Sequence, residues 1–399
     1  MVGEIRKLTK EEMEESLTLS QFAFQYELTE EQKAYFIRTK RPEQTYGYFE
    51  GETLESKMTV LSLTVMLGNV AYKMGGIAGV ATYPEHRRKG LVRNLLKIGL
   101  KELDDQGVTL SYLFPFSIPF YRKYGWEIFC DEKKIVVASH ELPKKITAVG
   151  WMKRESLQQT FHLHSIYDTY CQSYFGMLKR TEEWWDELTY NRKKLHLSVY
   201  YREDDSPTGY IIYEVKDRKM KISELIYTDE DSRGGLWNFI ADHDSMIDQV
   251  ELTLPSSDES TFLFANPKVK QELSPYFMAR IVNVKLFLEN YPFQAGTLSS
   301  LFVHVYDPFA DWNNGIYQIV FHGDKHEVKK FDSKPDNGAC QHPPKRGIQV
   351  NINMLTTMLM HYKRPMQLAK MGAIKGNNEE LEEWEKRIGD EQPAFIDFF

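Results

Sequence analysis

The chain has 399 residues, which is more than one hydrophobic core usually spans, so we expect two or three domains. Its composition, 42% apolar, 13% aromatic and 27% charged, is that of a globular protein, and its formal net charge of -7 argues against general binding to nucleic acids or anionic membranes. Three scattered cysteines, Cys130, Cys171 and Cys340, exclude a disulfide framework and indicate a cytoplasmic location, and the apolar runs are shorter than the roughly 20 residues that span a bilayer.

The opening segments predict a strand, a helix and a β-meander. The first residues are charged from the fourth position onward, so we do not expect a signal peptide. The helix starts with a Thr-x-x-Glu capping pattern at Thr9 and Glu12, and the meander turns at Gly51 and Gly68. In chain order, the strand, the helix and the meander cover residues 4–8, 9–24 and 45–83.

A basic loop follows the meander and leads into the next predicted helix. Arg87, Arg88 and Lys89 stand directly before Gly90, at the helix end where the macrodipole already favours anions. The simplest explanation is that an anion binds there. Neither G-x-G-x-x-G nor G-x-x-x-x-G-K-[ST] precedes this helix, so dinucleotide-binding and P-loop folds are excluded. The helix ends at Gly107, and its apolar positions, which mostly face the core, are Leu91, Leu95, Ile98, Leu100 and Leu103.

The remainder of the first segment predicts two strands around a short connection. Residues 108–116 form a strand, residues 117–127 a loop or short helix, and residues 133–139 one more strand. The resulting order, β-α-β-β-β-α-β-α-β, indicates a mixed sheet with flanking helices. Residues 140–145 are typical of a linker. A second segment of helices and strands then runs to about Tyr291, and a third ends in helical material and an aromatic C-terminus.

The second segment contains a faint copy of the basic loop and its surroundings. Aligned without a gap, residues 80–96 resemble residues 225–241, and Gly90 falls on Gly235. The copy carries Asp229, Glu230 and Asp231 in its loop in place of the basic cluster. Three carboxylates satisfy the helix dipole themselves and repel a phosphate, so we expect only the first segment to bind the anion.

Two motifs of the first segment resemble the GCN5-related N-acetyltransferase (GNAT) superfamily. The strand, the Arg-x-x-Gly-x-Val sequence from Arg87 to Val92 and the helix after it resemble the superfamily's acetyl-CoA signature, although Gly or Ala is usual where Val92 stands. FYRKYGWE, residues 120–127, resembles a second mark of the superfamily, whose tyrosine often protonates the departing thiolate. Tyr121 matches that tyrosine.

The arrangement of segments resembles the "enhanced intracellular survival" (Eis) family. The resemblance implies an α+β fold of mixed α/β type: an active GNAT domain (1–143), a degenerate GNAT-like domain (144–291) and a sterol-carrier-protein-like domain (292–399). It implies acetyl-CoA as cosubstrate, no metal, and direct acetylation of primary amines on multi-amine compounds such as aminoglycosides, with protein lysines as the alternative acceptor. It also implies a homo-oligomer, often a hexamer.

The same resemblance assigns the site residues. A strand backbone faces the pantetheine arm, the basic loop surrounds the pyrophosphate, and the end of the neighbouring strand touches the far side of the cofactor. These three groups are Val80, Ala81 and Thr82; Arg87, Arg88, Lys89, Gly90, Leu91, Val92 and Arg93; and Phe116 and Ser117. Tyr121 is expected to be the general acid, and the terminal carboxylate of Phe399 the general base.

The chemistry of the tail also indicates whether the terminal carboxylate of Phe399 can act as a base. An alkyl ammonium with a pKa near ~10 must lose a proton before it attacks a thioester. A free α-carboxyl, with a pKa of about 3.3–3.7, is a poor base unless burial raises that value or water relays the proton. The apolar ending PAFIDFF predicts a docked tail, which would raise the pKa of the terminal carboxyl.

Each of these candidates has a simpler explanation. The basic loop by itself is typical of a solvated turn, Tyr121 of a packing residue and Phe399 of a hydrophobic anchor. Two histidine and cysteine groups lack a complete set of metal ligands and indicate structural or surface roles. Those groups are His162, His164 and Cys171, and Cys340 and His342.

Two further questions stay open from the sequence. Phe22, Phe24, Tyr26 and Glu27 either line an amine pocket or belong to the core. The third segment, if it resembles a sterol carrier, allows an alternative function as an apolar-ligand carrier with a relic acetyltransferase fold. The retained basic loop and tyrosine argue against that alternative.

Overall fold

The computed structural model describes residues 3–158, 161–331 and 346–399 and shows the expected α+β fold. The first part of the chain forms β1 (Glu4–Lys7), α1 (Met13–Phe24), α2 (Glu30–Thr39), β2 (Thr45–Glu50), β3 (Thr53–Leu67), β4 (Val70–Thr82), α3 (Leu91–Asp105), β5 (Leu110–Leu113), α4 (Ile118–Arg122), β6 (Glu127–Ile128) and β7 (Asp131–Ala138). The second forms β8 (Trp151–Glu155), α5 (Phe161–Cys171), β9 (Met177–Leu178), α6 (Glu182–Asn191), β10 (His196–Tyr201), β11 (Pro207–Lys216), β12 (Lys219–Tyr227), α7 (Glu230–Ala241), β13 (Gln249–Pro255), β14 (Lys270–Pro275), β15 (Met278–Ile281) and α8 (Val284–Asn290). The third forms β16 (Ser300–Tyr306), β17 (Gly315–His322), β18 (Lys325–Phe331), β19 (Ile348–Asn351), α9 (Ile352–Leu359), α10 (Pro365–Lys370) and α11 (Asn378–Arg387).

Three sheets organise these elements. The first has the order β1-β2-β3-β4-β5-β15-β6, with β9 added beside β3, and the second has the order β14-β7-β13-β12-β11-β10-β8. The third has the order β18-β17-β16-β19. In each of the two larger sheets one parallel pair, β4 with β5 and β12 with β13, interrupts otherwise antiparallel pairing. The two larger sheets therefore repeat one arrangement, which agrees with the duplication inferred from the sequence.

The two larger sheets exchange a strand. β15, late in the chain, lies between β5 and β6 of the first sheet, while β7 lies between β13 and β14 of the second. Our assignment of residues 133–139 to the first sheet is therefore wrong. Only Phe129 and Cys130, both fully buried, separate β6 from β7. The Phe129 N–H donates to the Phe277 carbonyl and the Cys130 carbonyl accepts from the Tyr276 N–H, so the chain does not turn back here and continues into the next sheet. Each of the two sheets consequently contains strands from both sides of the domain boundary that we expected at residue 143.

Local sequence signals explain most of the first sheet. The meander forms as expected, and its turns contain Gly51 and Gly68 at φ values of 67° and 58°, which glycine adopts without strain. The first helix starts later than expected, at Met13, because the Glu12 carboxylate accepts from the Thr9 N–H while no side chain caps the helix. In α3 the expected stripe is buried except for Ile98, which is 39% exposed.

The helix α2 was not expected from the sequence. Thr29 and Gln32 form a complete capping box at its start, a Thr-x-x-Gln signal that the sequence contains. None of its residues is fully buried, so the apolar pattern that identifies most helices is weak here. The Tyr35 ring stacks on Tyr190 of α6, with 3.7 Å between centroids, and this contact joins α2 to the second sheet's helices.

The third sheet and its helices pack onto the first sheet rather than standing apart. Arg280 of β15 and Asp307, both with fully buried side chains, form an ion pair of 2.6 Å. The Thr357 hydroxyl of α9 donates to the carbonyl of Ile128 at 2.9 Å. One hydrophobic cluster accordingly includes residues of β4, β5, β15, α8 and the third sheet. None of the helices in the described parts of the chain has the length and apolar character that crossing a bilayer requires.

Candidate active site

The first sheet opens where β4 and β5 separate. Their parallel pairing covers Met74–Ile77 and Leu110–Leu113 and then stops, although β4 continues to Thr82. Along its far end β4 pairs only with β3, and the Ser56 hydroxyl donates to the carbonyl of Ala81 at 3.1 Å. The backbone of residues 80–82 therefore faces the opening between β4 and β5 as an unpaired strand edge. We call this opening the β4–β5 gap.

The basic loop lies at the outer end of β4. Arg88 and Gly90 adopt positive φ values of 65° and 81°, and a side chain added at Gly90 would meet no atom within 4 Å. Gly90 is the N-cap residue of α3 and no side chain caps this helix end. The first intrahelical bond runs from the Asn94 N–H to the Gly90 carbonyl, so the N–H groups of residues 91–93 have no acceptor within the helix. This arrangement provides free N–H donors and basic side chains for an anion.

The basic residues of this loop are placed where an anion in solution can reach them. Arg87, Arg88, Lys89 and Arg93 are all exposed, while Leu91 is buried under the helix and Val92 is half-buried. The Arg87 side chain donates to the Thr82 carbonyl at 3.3 Å, which ties the loop to the end of β4.

The second copy has no such loop. The gapless alignment places Gly235 on Gly90, but α7 already starts at Glu230, so the residues that form the loop in the first copy are wound into helix in the second. Asp229 caps this helix and accepts from the Ser232 N–H at 2.8 Å. The expectation that carboxylates satisfy this helix end is confirmed.

Tyr121 lies near the end of β5, on the short helix α4. Its side chain is buried against Trp126 and Phe116, whose ring centroids lie 6.4 Å and 5.3 Å from that of Tyr121. Burial raises the pKa of Tyr121 above its usual range, so the hydroxyl stays protonated. Among the described residues this hydroxyl has no hydrogen-bond partner. Ser117 caps α4 through its carbonyl, and Phe116 is 69% exposed beside it.

The end of the chain lies at the inner end of the β4–β5 gap. The Phe399 ring packs on Gly76 of β4, where an added Cβ would lie 2.9 Å from it, and its centroid is 5.1 Å from that of Phe277. The Phe398 ring lies 5.1 Å from Phe114, the first residue after β5. The last two residues therefore contact both strands close to the point where the strands part.

A buried polar cluster holds the tail just before its end, and we call it the Asp397 cluster. The Asp397 carboxylate accepts from Arg180 Nε at 2.9 Å, from Trp184 Nε1 at 2.8 Å and from the Tyr167 hydroxyl at 3.0 Å. Arg180 also pairs with Glu224 at 2.6 Å. No local pattern in the sequence identifies these residues, apart from a single aspartate within an otherwise apolar tail.

The remaining candidates are dispersed. Phe22 and Phe24 are about half exposed, and Phe22 packs on Tyr83 with 5.4 Å between ring centroids. His162 lies 2.8 Å from Glu155, and His164 stacks on Trp185. In the described parts of the chain, no group of three or more histidine, cysteine and acidic side chains is arranged to hold a metal ion. Cys340 and His342 lie outside the described residues.

Known families match all three parts of the chain. Models of the GNAT acetyltransferase domain match residues 4–129 and, separately, residues 176–281, and a model of the sterol carrier protein domain matches residues 284–396. The N-acetyltransferase Eis of Mycobacterium tuberculosis is 25% identical over 258 residues, which are 60% of this chain and 63% of that protein. The match thus spans less than two thirds of the curated relative.

Solved structures share the whole architecture. An Enterococcus faecalis protein, titled as a conserved protein of unknown function and "Probable N-Acyltransferase", superposes with a TM-score of 0.90 at 28% identity, and both chains are covered completely. Eis1 of Mycobacterium abscessus superposes with a TM-score of 0.80 at 18% identity, again over the full length of both chains, which shows a common fold. The chain therefore contains two acetyltransferase domains of the GNAT superfamily followed by a sterol-carrier-like domain, and it is similar to the N-acetyltransferase Eis over part of its length.

Proposed function

We propose that the protein is an N-acetyltransferase that transfers the acetyl group of acetyl-CoA directly to a primary amine. The observation that carries this proposal is the β4–β5 gap, with a basic helix N-terminus at its outer end and the docked chain end at its inner end. In this proposal residues 1–143 hold the acetyl-CoA site, residues 144–291 are the degenerate copy, and residues 292–399 deliver the tail.

The residues of the gap fit the chemical parts of acetyl-CoA. On the edge that faces away from β3, the backbone of Val80, Ala81 and Thr82 provides hydrogen-bonding groups for the amides of a pantetheine arm. The loop from Arg87 to Arg93, open at Gly90, provides N–H donors and positive charge for a pyrophosphate. Phe116 and Ser117 border the same gap from the end of β5.

The acid–base roles follow from the proton affinity of each group: a carboxylate accepts a proton and a tyrosine hydroxyl donates one. The terminal carboxylate of Phe399 accepts the proton that the attacking ammonium group loses, directly or through water. The amine nitrogen then bonds to the acetyl carbon and the carbon–sulfur bond breaks. Tyr121, whose hydroxyl is protonated at neutral pH and whose pKa burial raises further, donates to the departing thiolate. The nitrogen of the new amide loses its second proton, which returns through water to the Tyr121 oxygen.

The acceptor in this proposal is a small molecule with several amines, such as an aminoglycoside. A protein or peptide lysine is the alternative acceptor. The position of Phe398 and Phe399 supports a site open to exchange of the acceptor, because Phe398 is 63% exposed at the gap. We also propose that the chain forms a homo-oligomer, namely a hexamer, and that it is cytoplasmic.

An apolar-ligand carrier is the competing function. The third sheet borders a cavity of about 450 Å³, which a carrier would need. Its lining mixes apolar residues with His304, Gln349 and Lys375, so it lacks the continuous apolar wall that suits a sterol. We therefore favour the transferase.

The test is release of CoA thiol from acetyl-CoA in the presence of aminoglycosides, polyamines and a lysine peptide, each in turn. We expect release with multi-amine compounds beyond one equivalent of acceptor. Binding of acetyl-CoA without turnover of any of these amines would overturn the small-molecule acceptor. Absence of acetyl-CoA binding, combined with binding of a fluorescent fatty acid, would favour the carrier.

A further inference from the structure

The Asp397 cluster is buried and charged. Asp397, Arg180 and Glu224 all have side chains at most 3% exposed, and Arg192 closes the cluster by donating to Glu224. Burial opposes the charge of the Arg180 guanidinium, but Asp397 and Glu224 raise its pKa well above the usual value. Burial likewise opposes the charge of Glu224, and Arg180 and Arg192 lower the pKa of that carboxyl. The cluster therefore places two acidic side chains, Asp397 and Glu224, against two guanidinium groups, those of Arg180 and Arg192.

Only one member of this charge balance comes from the tail. Arg180, Arg192 and Glu224 belong to the degenerate copy, as do Trp184 and Tyr167, which also donate to Asp397. A buried ion pair that loses one partner is strongly destabilised, because the other charge stays buried without compensation. The degenerate copy is consequently more stable when Asp397 of the tail occupies the cluster than when the tail is displaced.

The cluster occupies the position in the second copy that corresponds to the gap in the first. β12 pairs in parallel with β13 only as far as Ile222, so Glu224 lies just beyond the point where these strands part. The gapless alignment of the two copies places Glu224 on Gly79 of β4, where the first copy has no side chain. Where the first copy has an open gap, the second has a buried carboxylate that indirectly holds the tail.

The anchor is close to the end of the chain. Two residues span at most about 7 Å, so fixing Asp397 restricts where Phe399 can lie. The Tyr276 hydroxyl also donates to the Asp397 carbonyl at 3.0 Å, which fixes the backbone as well as the side chain. Upstream, Phe175 exchanges backbone hydrogen bonds with residues 392 and 394. Beyond Asp397, by contrast, Phe398 is largely exposed.

We propose that Asp397 is a positioning residue for acetyl transfer, through which the degenerate copy holds the terminal carboxylate of Phe399 in the β4–β5 gap of the active copy. This inference rests on the proposed role of that carboxylate as the base. Asp397 acts through Phe399 and does not touch the reacting atoms. The degenerate copy thereby contributes to catalysis without binding acetyl-CoA.

The experiment compares Asp397→Asn with Asp390→Asn, an exposed aspartate of the same tail that serves as the matched control. With the best amine of the panel, we expect D397N to lower kcat at least tenfold and to leave KM for acetyl-CoA within twofold, because the basic loop is untouched. Carboxypeptidase should release Phe399 and Phe398 at least tenfold faster from D397N than from wild type. D390N should match wild type in both assays. Wild-type kcat together with a wild-type release rate in D397N would overturn the inference.

Two further variants separate this inference from the proposed base. Adding two glycines after Phe399 moves the carboxylate, and we expect that variant to lose turnover; normal turnover would overturn the base and this inference with it. Loss of turnover on extension, combined with normal kcat in D397N, would overturn the positioning role alone. If D397N fails to fold, Trp184→Phe removes a single donor to the Asp397 carboxylate, and unchanged kcat and release rate in W184F would contradict the inference.

Discussion

At Tyr121, burial raises the pKa of a hydroxyl that is already protonated at neutral pH, so the residue enters the reaction as a proton donor. We expect Tyr121→Phe to lower kcat about 10- to 100-fold without abolishing transfer, because a CoA thiolate, with a thiol pKa near ~8.5, leaves with little help. Steady-state kinetics at saturating acetyl-CoA measure this effect. Tyr124→Phe, on the turn that follows the same short helix, is the matched control and should behave as wild type. Equal turnover in Y121F and wild type would remove Tyr121 from the mechanism.

Lys57 is the second residue whose titration burial controls. It is 3% exposed, its ammonium donates to the carbonyl and hydroxyl of Ser16, and burial lowers its pKa to about 7. Between pH 7 and about 10.4 the unfolded chain binds a proton at this site that the folded chain does not, so the stability cost of Lys57 is complete below pH 7 and vanishes above about pH 10.4.

The corresponding prediction is that Lys57→Met unfolds less readily than wild type at pH 7. The expected gain is on the order of 2–3 kcal/mol, since relief of the buried charge outweighs the two acceptors left at Ser16. Urea denaturation at pH 7, 8.5 and 10 should show this gain shrinking as pH rises. Lys73→Met, at an exposed lysine of β4, should show no such trend. A gain that does not change with pH would contradict the shifted pKa.

At this scale the sequence predicted residues that belong to local patterns. Arg87, Gly90 and Tyr121 each occur in a short stretch whose spacing indicates its role. Arg180 and Asp397 could not be predicted in this way, because 217 residues separate the two partners and neither has a distinctive neighbourhood. The roles of the predicted site residues, Phe399 included, remain proposals.

Among the elements, the loop before α3 combines backbone shape with charge. Arg88 has a positive φ of 65°, which glycine adopts freely, so Arg88→Gly removes the charge and keeps the loop geometry. We expect this variant to raise KM for acetyl-CoA about three- to tenfold at low salt and less at high salt, with unchanged thermal stability. Lys97→Ala, at an exposed position further along α3, serves as control. A KM equal to that of wild type at low salt would argue against anion binding by this loop.

The elements also show where sequence patterns succeed and fail. The meander and α3 could be predicted because glycine turns and apolar periodicity are local. The helix α2 escaped because it buries none of its residues completely, although Thr29 and Gln32 mark its start. The start of α7 at Glu230 differs from that of α3 because Asp229 supplies a cap that the first copy lacks.

For the whole molecule, strand exchange makes the first two domains mutually dependent. We expect residues 1–143 expressed alone to be insoluble, because the fragment lacks β15, which lies between β5 and β6 of its sheet, and leaves β7 without partners. Co-expression with residues 144–399 should restore a soluble complex, which size-exclusion chromatography would detect. A monodisperse, folded fragment 1–143 would contradict the exchange. The sequence could not indicate it, because local strand patterns do not show which sheet β7 and β15 join.

The exchanged strand also delays the completion of the first sheet during synthesis. β6 ends at Ile128 and β15 ends at Ile281, so the ribosome must add the intervening 153 residues before the first sheet can close. At about 5–20 residues per second this takes roughly 8–30 seconds, far longer than an ordinary hairpin needs to form. Throughout that interval the edge of β5 stays unpaired on the nascent chain. Chaperones that shield strand edges during translation should therefore have a strong effect on the yield of folded protein. We expect this effect to be larger than that of a change in the stability of the folded state.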